Sequence, residues 1–375
     1  MLRKHPKLFQ DPQIDYPIYD MNLNFADYMQ KSEEIIAKTR QDLKQQAEFI
    51  IKANAPFELK PTNKPRYGAL LIHGLLDSPF IMRDIGNSLL SQGLLVRSIM
   101  LPGHSTVPGA LLNTNYSEWS QAVEYGVNSL KADVEKIFLL GFSTGASLAL
   151  HHAAKDPSIA GMILLAPAFK INSPLMFLTT WQHALRLAWE RTQWFVLHEE
   201  RDCVKYQSVA MNAIYQVHQL GLAIQQIPLN TCPTFSILSY EDEIVCSKAS
   251  LHYLQREINP LSRTLVYSAE PLRFANKHIT VRPSANPEQG ILNFSHITLP
   301  TSPNNPHYGK EGKYFLASHL KKNIKYGAVD KADILFYNWL HRLHLTKFVY
   351  QRLTFNPDFE MMQREIKKFI DDCVM

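Results

Sequence analysis

The sequence predicts a doubly wound α/β domain, a mostly parallel sheet with helices on both faces. Three observations predict it. Between Tyr67 and Ala166 short apolar runs alternate strictly with stretches of helical length, the pattern produced by parallel strands and their crossover helices. The chain has 375 residues, 46% of them hydrophobic and 19% charged, which allows a large core and excludes wholesale disorder. The alternation stops over residues 170–230, which are rich in bulky apolar side chains, and sheet-like texture resumes at Thr234. That is the signature of an insertion into a continuing sheet.

Taken in order, residues 22–53 place Phe25, Tyr28, Ile35, Ile36, Leu43, Ala47 and Ile50 at steps of three, four or seven, one face of a helix. A helix packed on the outside of the domain is expected. The same face would suit a membrane surface or a partner helix, so peripheral membrane contact stays open. Pro56, Pro61 and Pro65 mark a connector. Residues 1–65 are therefore read as an N-terminal helical extension and 66–375 as the main domain.

Tyr67–Ile72 is a short apolar run ending in His73-Gly74, right for a buried strand. Ser78-Pro79 reads as an N-cap followed by proline at the first helical position, with the helix stopping at Gly93. Leu94–Met100 is a second strand, closed by Pro102-Gly103. Ser117–Lys131 reads as helix, Lys136–Leu140 as strand, Thr144–Ala154 as helix and Gly161–Ala166 as strand. The insertion, about 170–232, is read as a helical cap carrying Phe177, Trp181, Leu185, Trp189, Trp194, Phe195, Tyr215 and Leu222. Thr234–Ser239 and Thr264–Ser268 are strands around a helix beginning near Ser247. A helical tail is expected over 311–375, its closing helix starting at Asn356-Pro357. There are no internal repeats.

Composition narrows the function. Lys plus Arg number 39 and Asp plus Glu 34, a net charge of +5 spread thinly along the chain, so no nucleic-acid partner is expected. Cys203, Cys232, Cys246 and Cys373 form no CxxC pair and read as reduced thiols of a cytosolic protein. The basic N-terminus has no apolar run behind it, and no stretch reaches the roughly 18 apolar residues a spanning helix needs. A cytoplasmic protein without a transmembrane segment is expected. There is no GxGxxG, no GxxxxGK[ST] and no HExxH. His151-His152 and the pair His341 and His344 lack a further ligand at metal spacing, so neither metal nor organic cofactor is called for. Lys321, Lys322 and Lys325 read as a solvated face.

The chemistry concentrates at Gly141-Phe142-Ser143-Thr144-Gly145. This is a G-x-S-x-G string between a predicted strand and a predicted helix, the context a nucleophile elbow demands. A serine on so tight a turn brings the residues at −2 and +2 against adjacent backbone, which leaves no room for a β-carbon. The following helix N-terminus aims its amides at developing negative charge. His73-Gly74-Leu75 ends the first parallel strand, where the Leu75 amide can stand beside the nucleophile. With the Thr144 amide it makes a two-donor oxyanion hole. His73 precedes the serine and is not read as a base, and Asp77 is read as a turn residue.

The strings LLIHGLLDSPF (70–80), LPGH (101–104), GFSTG (141–145) and EDEIV (241–245) together resemble the carboxylesterase and monoacylglycerol-lipase-like group of the α/β-hydrolases. The resemblance covers roughly residues 66–300. Ala146 departs from it, since many relatives carry a second glycine there. It implies a Ser–Asp–His triad and a cap between the sixth and seventh strands. The implied acid stands just past Thr234–Ser239, among Glu241, Asp242 and Glu243; Asp242 fits the D-x-x-V form with Val245 and is preferred, with Glu241 as the alternative. For the histidine, His296 in FSHITLP is preferred over His278 in KHITV, and His307 is third. His278 has the more usual spacing, whereas His296 precedes a proline-rich loop suited to an exposed strand-end imidazole. The expected function is hydrolysis of carboxylic esters, short- or medium-chain or monoacylglycerol-like, by a serine esterase with no cofactor. A peptidase or thioesterase on the same triad is the enzyme alternative, and a catalytically silent hydrolase-like binding protein is the alternative from another class.

Overall fold

In a computed structural model, which describes residues 5–43, 46–172, 190–227, 232–256, 259–316, 324–328 and 349–375, the apolar runs pair into an eight-stranded sheet. Its first five strands are β1 (Phe57–Leu59), β2 (Tyr67–Ile72), β3 (Leu95–Ile99), β4 (Lys136–Phe142) and β5 (Ile159–Leu165). After β6 (Trp194–Val196) and β7 (Val209–Ala210), which pair with each other in the insertion, come β8 (Thr234–Ser239), β9 (Arg263–Ser268) and β10 (Ile279–Pro283). The spatial order is β1-β3-β2-β4-β5-β8-β9-β10, and every neighbouring pair is parallel except β1 with β3.

The central strands read as near-continuous apolar runs because helices cover both faces. All six residues of β8 are buried, as are the last six of β4. The covering helices are Arg83–Ser91, Tyr116–Lys131, Thr144–Ala153, Ser247–Leu254 and Phe359–Val374. Asn115 starts the second of these with a capping box: its side chain accepts the Ser117 and Glu118 amides, and Glu118 accepts the Asn115 amide. The last buries Phe359, Met362, Ile366, Phe369 and Ile370, a stripe of helical period. The doubly wound reading therefore holds, with most element ends between Tyr67 and Ala166 within two residues of the sequence reading.

Five local readings are corrected. Residues 22–53 form two helices, Phe25–Thr39 and Ala47–Asn54. Arg40 leaves helical geometry (φ −72°, ψ 143°), and its guanidinium turns to Asp42. The expected connector contains β1, an antiparallel edge strand, so the extension is not helical throughout. In the insertion the helix Met211–Gln225 is joined by the β6–β7 pair. The tail holds β11 (Ile324–Gly327) and β12 (Val349–Arg352), a parallel pair, before its closing helix. These strands are two to four residues long, too short to show a period of two. Ser78 does not cap its helix; its hydroxyl donates to the Val204 carbonyl in the insertion, at 2.9 Å. Phe177, Trp181, Leu185, Trp189, Lys321, Lys322, His341 and His344 lie outside the described residues.

The N-terminal extension packs against the domain with the predicted face. Phe25, Tyr28 and Ile36 are buried, and the Tyr28 hydroxyl accepts the Met100 amide at 3.0 Å. Tyr16 accepts the Gly103 amide at 2.8 Å. The extension thereby clamps the loop that follows β3. Among the described residues no helix is long and apolar enough to cross a membrane.

Candidate active site

The G-x-S-x-G string turns from β4 into the helix Thr144–Ala153. Ser143 takes φ 55° and ψ −116°, left-handed backbone that a non-glycine residue holds only when its surroundings impose it, at a cost of about 1–3 kcal/mol. Here they do. The Ser143 amide donates to the Leu165 carbonyl of β5 at 2.8 Å, and its own carbonyl accepts the Ala146, Ser147 and Ala168 amides. A β-carbon on Gly145 would overlap the Ile72 carbonyl, and one on Gly141 would overlap Gly145, so both glycines are required by close approach.

Ser143, Asp242 and His296 meet at the carboxyl ends of the parallel strands. The Asp242 side chain is fully buried in the turn after β8, where Oδ1 accepts the Ile244 amide at 2.8 Å and the Val245 amide at 2.9 Å. Its Oδ2 stands 2.6 Å from His296 Nδ1. An ionised carboxylate only accepts, so Nδ1 carries the proton and Nε2 is left as an acceptor. The Ser143 hydroxyl lies 2.9 Å from that Nε2. The Phe142 ring packs on the imidazole with centroids 4.9 Å apart.

The other two carboxylates of the EDEIV turn are committed elsewhere. Glu241 accepts the Ala269 amide at 2.9 Å and the Ser268 hydroxyl at 3.1 Å, tying the turn to the end of β9. Glu243 accepts the His296 amide at 2.9 Å and pairs with Arg352 at 2.9 Å. Burial pushes its carboxyl up, against the opposing pull of Arg352.

His278 is exposed and precedes β10, where its carbonyl accepts the amide of Thr264 near the start of β9. This is the end of the sheet opposite Ser143. His307 is buried and bonds Asp202 at 2.9 Å. Neither joins the Ser143 cluster.

His73 is fully buried, and both its nitrogens serve the backbone: Nδ1 donates to the Gly74 carbonyl at 2.9 Å and Nε2 accepts the Leu101 amide at 3.1 Å. Burial, then the neighbouring His104, hold its pKa well below the usual histidine range. It stays neutral and ties the β2 end to the β3 loop. Gly74 abuts the elbow, since a β-carbon there would sit 3.1 Å from that of Ser143. Among the described residues, no protein acceptor takes the amide of Leu75 or of Thr144, so both are available to a developing oxyanion. Sequence reading missed the insertion's contribution to this loop: Lys205 pairs with Asp77, and Tyr206 donates its amide to the Leu76 carbonyl.

One group among the described residues could offer three metal-ligand atoms: Asp202, Cys203 and His307, within 4.8 Å of one another. Protein donors already occupy both Asp202 oxygens, with His307 Nε2 and the Val204 amide on Oδ1 and the Tyr308 hydroxyl on Oδ2. The arrangement is explained by hydrogen bonding alone. The four cysteines are free thiols.

Comparison with known proteins adds a family match. The sequence model of the family described as "Serine aminopeptidase, S33" matches residues 63–269, more than half of the chain and ending with β9. His296 and the tail lie beyond it. A thermostable monoacylglycerol lipase of Bacillus sp. (strain H-257) is 33% identical over 104 residues, 28% of this chain and 42% of that lipase. The match thus spans less than half of that relative's length. Among solved structures, the monoacylglycerol lipase of Paleococcus ferrophilus superposes with a TM-score of 0.48 at 17% identity, covering 57% of this chain and 88% of its own. A soluble variant of monoglyceride lipase from Saccharomyces cerevisiae gives 0.47 at 18% identity, covering 57% and 81%.

Proposed function

The chain belongs to the serine aminopeptidase S33 family of α/β-hydrolases, and we propose that it hydrolyses carboxylic esters through an acyl-enzyme on Ser143. The observation that carries this reading is the continuous hydrogen-bond chain from Ser143 Oγ through His296 to a buried Asp242, at 2.9 and 2.6 Å. In the first half-reaction Ser143 Oγ attacks the ester carbonyl and its proton moves to Nε2 of His296. Asp242 holds the Nδ1–H tautomer and stabilises the imidazolium. The Leu75 and Thr144 amides receive the oxyanion, and Nε2–H then protonates the departing alkoxide. Water repeats the attack, giving up its proton to Nε2, and releases the acid with Ser143 restored. None of these steps calls on a metal or organic cofactor.

The substrate class is an ester with a hydrocarbon portion, monoacylglycerol-like or of short to medium acyl chain. Two features support it: the insertion packs the buried Val204 and Tyr206 onto the loop after β2, which abuts Ser143 at Gly74, and the monoacylglycerol lipase similarity over 104 residues. The family's aminopeptidase description favours one rival, amide cleavage on the same nucleophile. Hydrolysis of p-nitrophenyl acetate, butyrate and decanoate, of a monoacylglycerol and of aminoacyl p-nitroanilides separates the two. Ester turnover exceeding anilide turnover is expected, and turnover of the anilides alone would overturn the ester assignment.

A further inference from the structure

His296 must be held by its backbone as well as by its ring, and what holds its backbone comes from the far end of the chain. It opens a short 3-10 turn, His296–Thr298. The hydroxyls on either side of it, Ser295 Oγ and Thr298 Oγ1, both donate to a single carbonyl, that of Leu353, at 2.6 and 2.9 Å. Leu353 is fully buried just past β12. The preceding residue, Arg352, places Nε 2.9 Å from Oε1 of Glu243, a charge contact rather than an aligned hydrogen bond. The other oxygen of Glu243 accepts the His296 amide.

We propose that Arg352 is a positioning residue for His296: it holds the buried Glu243 in place under the His296 amide while the adjoining Leu353 carbonyl fixes both flanks of the turn. The proposal rests on His296 acting as the base of Ser143. Its physical basis is the crowding of two carboxylates. Glu243 has an 8% exposed side chain, and among the described residues the charged or titratable groups facing it are Asp242, Arg352 and His296. Burial and Asp242 both oppose its charge, and Arg352 is the cation that opposes them. A buried charge that loses its partner is left uncompensated and pulls on its surroundings, whereas loss of both partners is close to neutral.

The test compares Arg352→Gln, Glu243→Gln and their combination in the full chain, using p-nitrophenyl butyrate kinetics across pH, thermal melting and the rate of fluorophosphonate labelling. Arg352→Gln is expected to lower kcat about tenfold with KM changed less than about twofold, since a sub-ångström displacement of a reacting group costs on this order. The uncompensated Glu243 charge favours the imidazolium, so the acid limb of kcat moves to higher pH. In the double variant the neutral amide oxygen introduced by Glu243→Gln still accepts the His296 amide, so kcat and the acid limb return most of the way to wild type. Wild-type kcat and acid limb in a folded Arg352→Gln protein, or a double variant as impaired as Arg352→Gln, would overturn the proposal. If Arg352→Gln fails to fold, Arg352→Lys takes its place; it retains the charge and is expected to keep the wild-type limb, and a displaced limb there counts against the proposal. Labelling of wild type is scored first. A wild-type protein that does not label refutes the hydrolase reading itself, whereas wild type and Arg352→Gln labelling equally fast refute only the role of Arg352.

Discussion

Replacing Asp242 by asparagine should nearly abolish turnover while leaving the fold intact, and the reason lies in how each oxygen is used. Oδ1 accepts two backbone amides, from Ile244 and Val245. An asparagine must keep its carbonyl oxygen there, because turning it over would set an NH2 group against two N–H donors. The NH2 is then forced toward His296 Nδ1, where the carboxylate oxygen stood at 2.6 Å. Nδ1 can meet it only as an acceptor, so the ring proton moves to Nε2. That nitrogen now donates toward Ser143 instead of accepting its proton. The general base is lost although every heavy atom stays in place. A tautomer error of this kind costs about 10⁴-fold in kcat in serine proteases, about 5.5 kcal/mol at 1.36 kcal/mol per tenfold. Retention of both amide bonds keeps the expected loss of stability near 1 kcal/mol or less. The assay is kcat/KM on p-nitrophenyl butyrate beside a thermal melt, with Glu241→Gln as the control; Glu241 contacts the end of β9 and not His296, so that variant should keep wild-type turnover. An Asp242→Asn protein within tenfold of wild type, or a Glu241→Gln protein as crippled as it, would refute the assignment.

Gly145→Ala should destabilise the fold by about 3 kcal/mol and remove activity, because its methyl group would overlap the Ile72 carbonyl and backbone must move; a melt within a degree of wild type contradicts this. Burial, only partly offset by the Pro102 and Leu101 contacts, holds the His104 pKa down to about 4. Between about pH 6.5 and 4 the unfolded state binds the proton that the folded state refuses, so stability contributed by neutral His104 is lost as pH falls through that window, to about 3 kcal/mol. Melting temperature should decline over this range in wild type and less steeply in His104→Gln; parallel profiles would remove the assignment.

The sheet and the elbow were legible because they are local. A strand, a G-x-S-x-G turn and a helix declare themselves within some twenty residues, and β2, β4 and β5 are largely apolar runs. Position alone narrowed the acid to a cluster, and Asp242 was preferred within it only through its resemblance to the D-x-x-V form. Asp242 differs from Glu241 and Glu243 through the two amides that bind Oδ1 and the direction each side chain takes, which composition does not carry. His296 and His278 look alike in sequence because the choice depends on β10: its parallel pairing with β9 puts His278 at the start of the strand and sends the chain back past the site at 296. The edge strand β1 was hidden by three-residue length and flanking prolines. The tail strand β12 left no signal, because its value lies in Arg352 and Leu353 reaching residues 243 and 295–298. Contacts across such separations have no periodicity.

The central claim is that the Ser143 hydroxyl is activated by His296. Fluorophosphonate labelling of wild type, Ser143→Ala, His296→Ala and His278→Ala, read by peptide mapping, tests it most directly. Label confined to Ser143 in wild type and in His278→Ala, absent from Ser143→Ala and strongly slowed in His296→Ala, is the expected result. Label on another residue, or undiminished labelling of Ser143 without His296, would contradict it.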